Sequence, residues 1–349
     1  MKIKLVALAA LSVCTSMTYA QSSTTIYGIV DTTVRYGTNA NANGDDKVQM
    51  SDGFATGSRL GFRTTEDLGG GLKAMAVLET GFAPDTGELQ QGGRMFGRQS
   101  YLGLEGKYGR LLLGRQYTVA YDTLCSFDAF FCANNSLVGY QGSNYAGLRY
   151  DNTAKYSKTF GDFAVNAGYT FGETVPGVVG QSAKAASVTY TSGKKYFGIV
   201  YQVTDGVSSA FFNSVPSAQA SKQVVWGFGG TYQFEQAKVL FGYTRSKLDV
   251  ADYQNDVLQL SANYKLSNAL QLIGTVQHDK LKRDVGDGRR LTTALMLDYF
   301  FSKNTDIYVA VDYAKLQGEW VSLGNNGSAA SFYGQSNRTN LIAGLRHKF

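Results

Sequence analysis

The stretch Thr25-Ile26-Tyr27-Gly28-Ile29-Val30-Asp31-Thr32-Thr33-Val34-Arg35-Tyr36 decides how the rest of the chain is read. Drawn out as a strand, it sends Ile26, Gly28, Val30, Thr32, Val34 and Tyr36 to one side and Tyr27, Ile29, Asp31, Thr33 and Arg35 to the other, because successive side chains of an extended chain point to opposite faces. One face is apolar or small; the other carries an acid and a base. The last residues repeat the pattern, with Leu341, Ala343, Leu345, His347 and Phe349 on one face and Asn340, Gly344, Arg346 and Lys348 on the other. A strand with lipid on one side and water on the other has this pattern.

One such segment proves little, so the count matters. Sixteen segments alternate in this way: 24–36, 57–66, 72–82, 94–105, 109–116, 147–159, 163–172, 184–192, 195–204, 222–234, 237–248, 255–266, 269–280, 289–301, 305–317 and 337–349. Every second connection is tight, as at Gly106 to Tyr108, Phe160 to Asp162, Glu235 to Gln236 and Ser302 to Asn304. Those between are mostly longer: 37–56, 83–93, 117–146, 173–183, 205–221, 249–254, 281–288 and 318–336. An up-and-down barrel sorts its turns in this way, short on one side of the membrane and long on the other. A soluble sandwich has no reason to. The expected fold is all-β: a sixteen-stranded antiparallel transmembrane β-barrel over 21–349.

Composition agrees. The 349 residues include 41 Gly, 23 Tyr and 20 Phe but only 3 Pro, and proline cannot donate a ladder hydrogen bond. After residue 20 no segment is apolar enough to span as a helix; the longest candidate, 291–301, is broken by Asp298. Closed barrels and helices are the only spanning structures that satisfy every backbone group in hydrocarbon. Tyr156, Tyr169, Tyr190, Tyr196, Tyr264 and Tyr299 stand near segment ends, as aromatic belts do at membrane–water boundaries; packing preference alone is the competing account of each.

Residues 1–20 are read as a signal peptide. Lys2 and Lys4 precede the apolar run Leu5 to Val13, and Thr18-Tyr19-Ala20 offers small residues for cleavage before Gln21. Removing those lysines takes the formal charge from +6 to +4 (6 − 2). No basic run with interleaved aromatics exists, so nucleic-acid binding is not expected. Cys125 and Cys132 remain; in an oxidising envelope they are expected to pair, the alternative being two free thiols. No ligand set for a metal accompanies them, and no cofactor is expected. With His278 and His347 as the only histidines, neither placed beside a nucleophile, no catalytic residue is assigned and an enzyme is not expected.

Several stretches resemble the general Gram-negative outer-membrane porins, especially those of β-proteobacteria. They are Ile26-Tyr27-Gly28-Ile29-Val30-Asp31, Gly57-Ser58-Arg59-Leu60-Gly61-Phe62, the turn Glu66-Asp67-Leu68-Gly69-Gly70-Gly71, Leu78-Glu79-Thr80-Gly81-Phe82, Phe96-Gly97-Arg98-Gln99, Leu113-Gly114-Arg115-Gln116-Tyr117 and the closing Gly344-Leu345-Arg346-His347-Lys348-Phe349. The resemblance is densest over 24–117 and the last ten residues. It implies export to the outer membrane, a homotrimer, and a terminal Phe349 read by the barrel-assembly machinery. It also implies that the third long loop, 117–146, folds inward and narrows the lumen; the Pro-Glu-Phe-Gly-Gly motif of enterobacterial members is absent there, which leaves the loop's path open.

Pores sort solutes by width and by lining charge. Alternation sends Arg59 and Arg63 to the water side of the second segment, Glu79 to that of the third, Arg94 and Arg98 to one face of the fourth and Arg149 to that of the sixth. The resemblance places Arg59, Arg98 and Arg149 on a basic wall of the constriction, with Glu79 nearby. Arg94 is added by alternation alone. Asp122 and Asp128 are the acids of the facing loop. The expected function is a water-filled channel for passive diffusion of small hydrophilic solutes and ions with an anion preference. A substrate-specific channel for a small anionic solute or sugar is the alternative, and a surface-recognition barrel working through its loops ranks below both.

Overall fold

The computed structural model describes residues 22–130, 132, 145–172, 182–207, 220–323 and 332–349. The signal peptide read at 1–20 lies outside these residues, as does much of 117–146, 173–183, 205–221 and 318–336. The strands are β1 (Ser23–Gly37), β2 (Lys47–Asp52), β3 (Arg59–Gly69), β4 (Leu72–Gly81), β5 (Gln99–Gly106), β6 (Gly109–Tyr117), β7 (Arg149–Phe160), β8 (Phe163–Thr170) and β9 (Ser182–Ser192). They continue as β10 (Lys195–Val207), β11 (Ala220–Gln233), β12 (Ala237–Leu248), β13 (Gln254–Lys265), β14 (Leu270–Arg283), β15 (Gly286–Phe300), β16 (Thr305–Gly318) and β17 (Asn337–Lys348). No helix among the described residues is long and apolar enough to cross a membrane.

The sheet closes on itself. Each strand from β3 onward pairs antiparallel with the next, and β17 returns to β1 with Ile29 opposite Lys348 and Gly37 opposite Asn340. The terminal residue completes the seam: Gly28 N–H donates to Phe349 O at 2.9 Å and Phe349 N–H donates to Gly28 O at 3.1 Å. The Phe349 ring covers Gly28 so closely that a Cβ there would fall 2.3 Å from Cζ. Seventeen strands make sixteen staves (17 − 1), because β2 and β3 share one: β2 pairs with 32–37 of β1, and β3 with 23–29.

Between β2 and β3 the chain turns inward. Phe54 is fully buried, and its N–H donates to the Tyr308 hydroxyl at 3.1 Å. Asp31 organises the excursion, its carboxylate accepting from Thr56 N–H at 2.8 Å and from Tyr308 O–H at 2.6 Å. Sequence alternation detects the flanks of this stave and not the break, since β2 is only six residues long.

Two further segments differ from their sequence reading. The fourth begins at Gln99 rather than 94, because residues 94–97 close a turn through Gly97 N–H to Arg94 O. The long connection expected at 281–288 is a two-residue turn, 284–285. Lys280, Lys282 and Arg283 make that stretch look like a loop, yet Lys280 and Lys282 point outward from β14 while Leu281 between them is fully buried.

The two faces are unlike. Ile26, Leu102, Leu258 and Val309 are 56–63 % exposed on the outer face, where a water-soluble sheet would cover them. Inside, Phe54, Phe127, Tyr253, Leu281, Leu316, Trp320 and Phe332 are fully or almost fully buried. Trp320 belongs to a one-turn helix that follows β16, and its ring and that of Phe332 each lie 5.7 Å from the Arg290 guanidinium carbon. Apolar side chains and loop segments thus fill much of the interior beside β10–β17.

Candidate functional site

The third long loop starts at Tyr117 and forms helix α1 (Val119–Cys125) inside the barrel. Thr118 sets its start: the hydroxyl accepts from Tyr121 N–H at 3.0 Å and donates to Gly147 O at 2.9 Å, a side-chain N-cap. Cys125 and Cys132 are joined in the structure, their Cα atoms 5.4 Å apart. Cross-linking a loop this short restricts the unfolded loop by about 2–3 kcal/mol. Replacing both cysteines by serine is therefore expected to loosen the loop, read as greater open-channel current noise with an unchanged barrel spectrum.

Two devices hold the loop against the far wall. Three glutamines facing inward reach its backbone: Gln202 donates to Ala146 O at 2.6 Å, Gln223 to Tyr145 O at 2.8 Å and Gln259 to Phe127 O at 2.9 Å. Each is at most 1 % exposed. Tyr145 adds a hydroxyl bond to Asp279 at 2.5 Å. Close approach is the second device. An added Cβ on Gly198 would stand 3.2 Å from both Phe127 and Thr123, and one on Gly229 would stand 2.6 Å from the Phe127 ring. The loop packs where β10 and β11 carry no side chain. Neither device is visible in the sequence, because its partners stand 56 to 134 residues apart.

Opposite stands the basic wall. Arg98 and Glu79, both nearly buried, form an ion pair at 2.7 Å. Arg98 also donates to the Tyr117 hydroxyl at 2.8 Å, and Tyr27 O–H donates to the other Glu79 oxygen at 2.9 Å. Arg149 donates to the same Tyr117 hydroxyl at 2.6 Å and lies 4.3 Å from the ring centre. Tyr117 in turn stacks on Tyr121 of α1 at 5.1 Å, joining wall to loop. Burial raises the Tyr121 phenol well above its ordinary pKa, with Tyr117 acting in the same direction, so it is neutral. Arg59 donates to Gly57 O at 3.0 Å and lies within electrostatic range of Arg98, Arg149 and Glu79.

Arg59, Arg98, Arg149 and Glu79 therefore come together, while the other expected members stand elsewhere. Arg94 pairs with Asp151 at 2.9 Å, and Arg115 holds the same carboxylate at 2.6 Å; the turn at 94–97 takes Arg94 out of the fourth stave. Asp128 is fully buried and accepts from Phe130 and Cys132 N–H at 3.0 and 2.8 Å, so it shapes its own loop instead of facing the lumen. Asp122 is exposed and pairs with Lys155 at 2.8 Å. Sequence reasoning passed over Tyr117 and Tyr121, whose only signal was their place at the loop's first turn.

Charge at the clustered wall is three guanidinium groups against one carboxylate, +2 (3 − 1). No group of three or more potential metal ligands exists among the described residues. Basic groups on one side of an aqueous lumen, facing an inserted loop, make a filter for size and charge.

Comparison with known proteins agrees with the barrel fold. Residues 7–319 match the Gram-negative porin family. The chain is 31 % identical to outer membrane porin protein 32 of Delftia acidovorans and 27 % identical to an outer membrane porin protein of Bordetella pertussis, each alignment covering all of both chains. Among solved structures, an anion-selective porin from Comamonas acidovorans superposes with a TM-score of 0.75 at 25 % identity, covering 94 % of this chain and 100 % of that one. The fold is shared more distantly with a trimer form of OmpT from Vibrio cholerae, at a TM-score of 0.70 and 18 % identity over 94 % and 99 % of the two chains. The chain is a member of the Gram-negative porin family, a channel-forming protein of the outer membrane.

Proposed function

We propose that the channel conducts small hydrophilic solutes and ions passively, without a catalytic step, and favours anions. The observation that carries this reading is the cluster of Arg59, Arg98 and Arg149 around a single carboxylate, Glu79, which Arg98 already neutralises. A solved relative 25 % identical to this chain is described as anion-selective. The test is the reversal potential of the purified protein in a planar bilayer under a salt gradient. It is expected to have the sign of anion preference at neutral pH and to move toward zero in R59Q/R149Q; a cation preference in the native protein sinks the proposal.

A homotrimer is part of the reading. The outer face of β1, β2 and β17 carries exposed Val34, Val48, Met50, Leu341 and Leu345 up to the long-loop rim, a face suited to a second copy, so conductance steps are expected in threes. Phe349, placed at the closure seam, is proposed as the signal read by the assembly machinery; its deletion is expected to reduce insertion.

One observation favours selective binding as a second reading. Beside α1 lies a recess of about 340 Å³ lined by Arg110, Lys155, Asp122, Ser157, Thr189 and Tyr196, among others. Two cations among hydroxyl groups suit a small hydroxylated anion. Concentration-dependent blockade of single-channel current by sugar acids, absent with neutral sugars, would support this reading over simple diffusion.

A further inference from the structure

Below α1, toward the short turns, the inner faces of β6–β9 carry one continuous polar row. Arg110 stands directly opposite Ser157, Ser157 opposite Asn166 and Asn166 opposite Ser187. The row faces the lumen, because Leu111, Tyr156, Val165 and Val188, next to its members along the strands, are exposed on the outer face. Nearer the turns, Thr159 and Thr189 stand on either side of Ala164. Except for Ser187, all of these residues line the recess of about 340 Å³ beside α1, whose Asp122, Thr123 and Ser126 roof it. Short turns of such a barrel are the periplasmic ones, so the recess lies on the periplasmic side of the constriction.

Which of these groups are already spent decides what the recess can hold. Lys155 is committed, its ammonium donating to Asp122 at 2.8 Å and to Tyr117 O at 3.0 Å. Arg110 is not. Its one acidic neighbour, Glu105, is 4.0 Å away, and the two side chains are 46 % and 47 % exposed, a separation and setting in which an ion pair contributes little. The hydroxyls of Ser157, Thr159 and Thr189 make no hydrogen bond among the described residues. Asn166 spends its amide nitrogen on Ser187 Oγ at 3.1 Å and keeps its carbonyl oxygen to accept. One open guanidinium therefore stands at the end of a row of open hydroxyls and an amide. A guanidinium grips a carboxylate with two parallel bonds. Neighbouring strands are about 5 Å apart, so the row from Arg110 to Asn166 spans about 10 Å, which fits one six-carbon acid with a hydrogen bond at each end.

We propose that this row binds a sugar acid, with the carboxylate on Arg110 and the hydroxyls on Ser157, Asn166 and Thr189, and so holds the solute on the periplasmic side once it has passed the arginine wall. The inference rests on the selective-binding reading of the channel and adds where the solute sits and which groups recognise it. A neutral sugar leaves Arg110 without a partner, and a short carboxylate such as acetate leaves the hydroxyls without one. Neither fills the row.

The test is blockade of single-channel current by galacturonate added to one side of a planar bilayer holding channels of one orientation, with galactose and acetate as comparisons. Galacturonate is expected to block at a lower concentration from the short-turn side than from the long-loop side. R110Q should raise the half-blocking concentration about tenfold or more, since it removes a charge-assisted pair of hydrogen bonds. E105Q should lower it, because the competing carboxylate is gone; a merely structural role for Arg110 would not produce that opposite sign. Should R110Q fail to insert, S157A and T189A carry the test, each raising the half-blocking concentration about threefold or more. Blockade that is equal from both sides, insensitive to R110Q and relieved in R59Q/R149Q leaves selective binding standing but moves it to the constriction, and overturns this inference alone. Blockade of equal strength by acetate or by galactose overturns it as well, because half of the row is then idle. No blockade by any of the three defeats the selective-binding reading and this inference together.

Discussion

Arg98→Ala is expected to lower the stability of the barrel by about 3–5 kcal/mol, since it leaves a carboxylate buried without its counter-charge. Glu79 is 3 % exposed, and Arg98 is its only ion-pair partner among the described residues. The Tyr27 hydroxyl cannot take over, because one neutral hydrogen bond at 2.9 Å does not replace a buried ion pair. The same substitution lowers the net charge of the cluster from +2 to +1, so anion preference should fall together with stability. Denaturant unfolding of the detergent-solubilised barrel measures the first effect and reversal potentials the second. Removing both partners separates them. E79A/R98A buries no lone charge and should regain most of the lost stability, while keeping the net charge at +2 (3 − 1 before, 2 − 0 after). R98K should recover selectivity more than stability, because an ammonium group cannot hold Glu79 and the Tyr117 hydroxyl in the fixed fork that guanidinium provides. Unchanged stability in R98A would show that the buried pair does not support the wall.

Gly198→Leu is expected to narrow the channel. Every atom that an added Cβ meets there belongs to a side chain, and two of the three belong to the inserted loop, on Phe127 and Thr123. The strand backbone is untouched, so the strain falls on the loop, which must move away from β10 toward the basic wall. Overpacking of this kind costs about 1–3 kcal/mol, within what a closed barrel tolerates. Single-channel conductance should therefore drop while the circular-dichroism spectrum stays that of the native barrel. Phe127→Ala in the same chain should restore much of the conductance by vacating the space. An unaltered conductance in Gly198→Leu would mean that the wall glycines do not set the loop's position.

How far the sequence could be read follows from which interactions are local. Alternation is a property of neighbouring residues, so Ile26 through Tyr36 disclosed their facing without any knowledge of partners, and the stave count followed. It failed where the backbone departs from extension for a few residues: at 53–58, where the second stave is interrupted by Phe54 turning inward, and at 94–97, where a turn carries Arg94 to Asp151. It also misjudged 281–288, where hydrophilic side chains pointing outward imitate a loop. The clustering of Arg59, Arg98, Arg149 and Glu79 was recoverable from motif and parity together. Asp128 was not, because the same acidic residue can face solvent or satisfy its own loop's N–H groups, and only the loop's path decides between them. The glutamines that grip the loop belong to no motif, and their partners lie far away in sequence.

That grip has a consequence for timing. Tyr145 is tied to Asp279, and Phe127 to Gln259, across 134 and 132 residues of chain. Contacts so distant in sequence form late, after the entropy of closing the intervening chain has been lost. A nascent or half-inserted polypeptide that ends before β13 and β14 has the arginines, the loop and its ties to Gln202 and Gln223, but lacks those to Gln259 and Asp279. The loop's hold on the far wall is then completed only as β13 and β14 join the barrel, and a barrel arrested on the way would keep a looser loop.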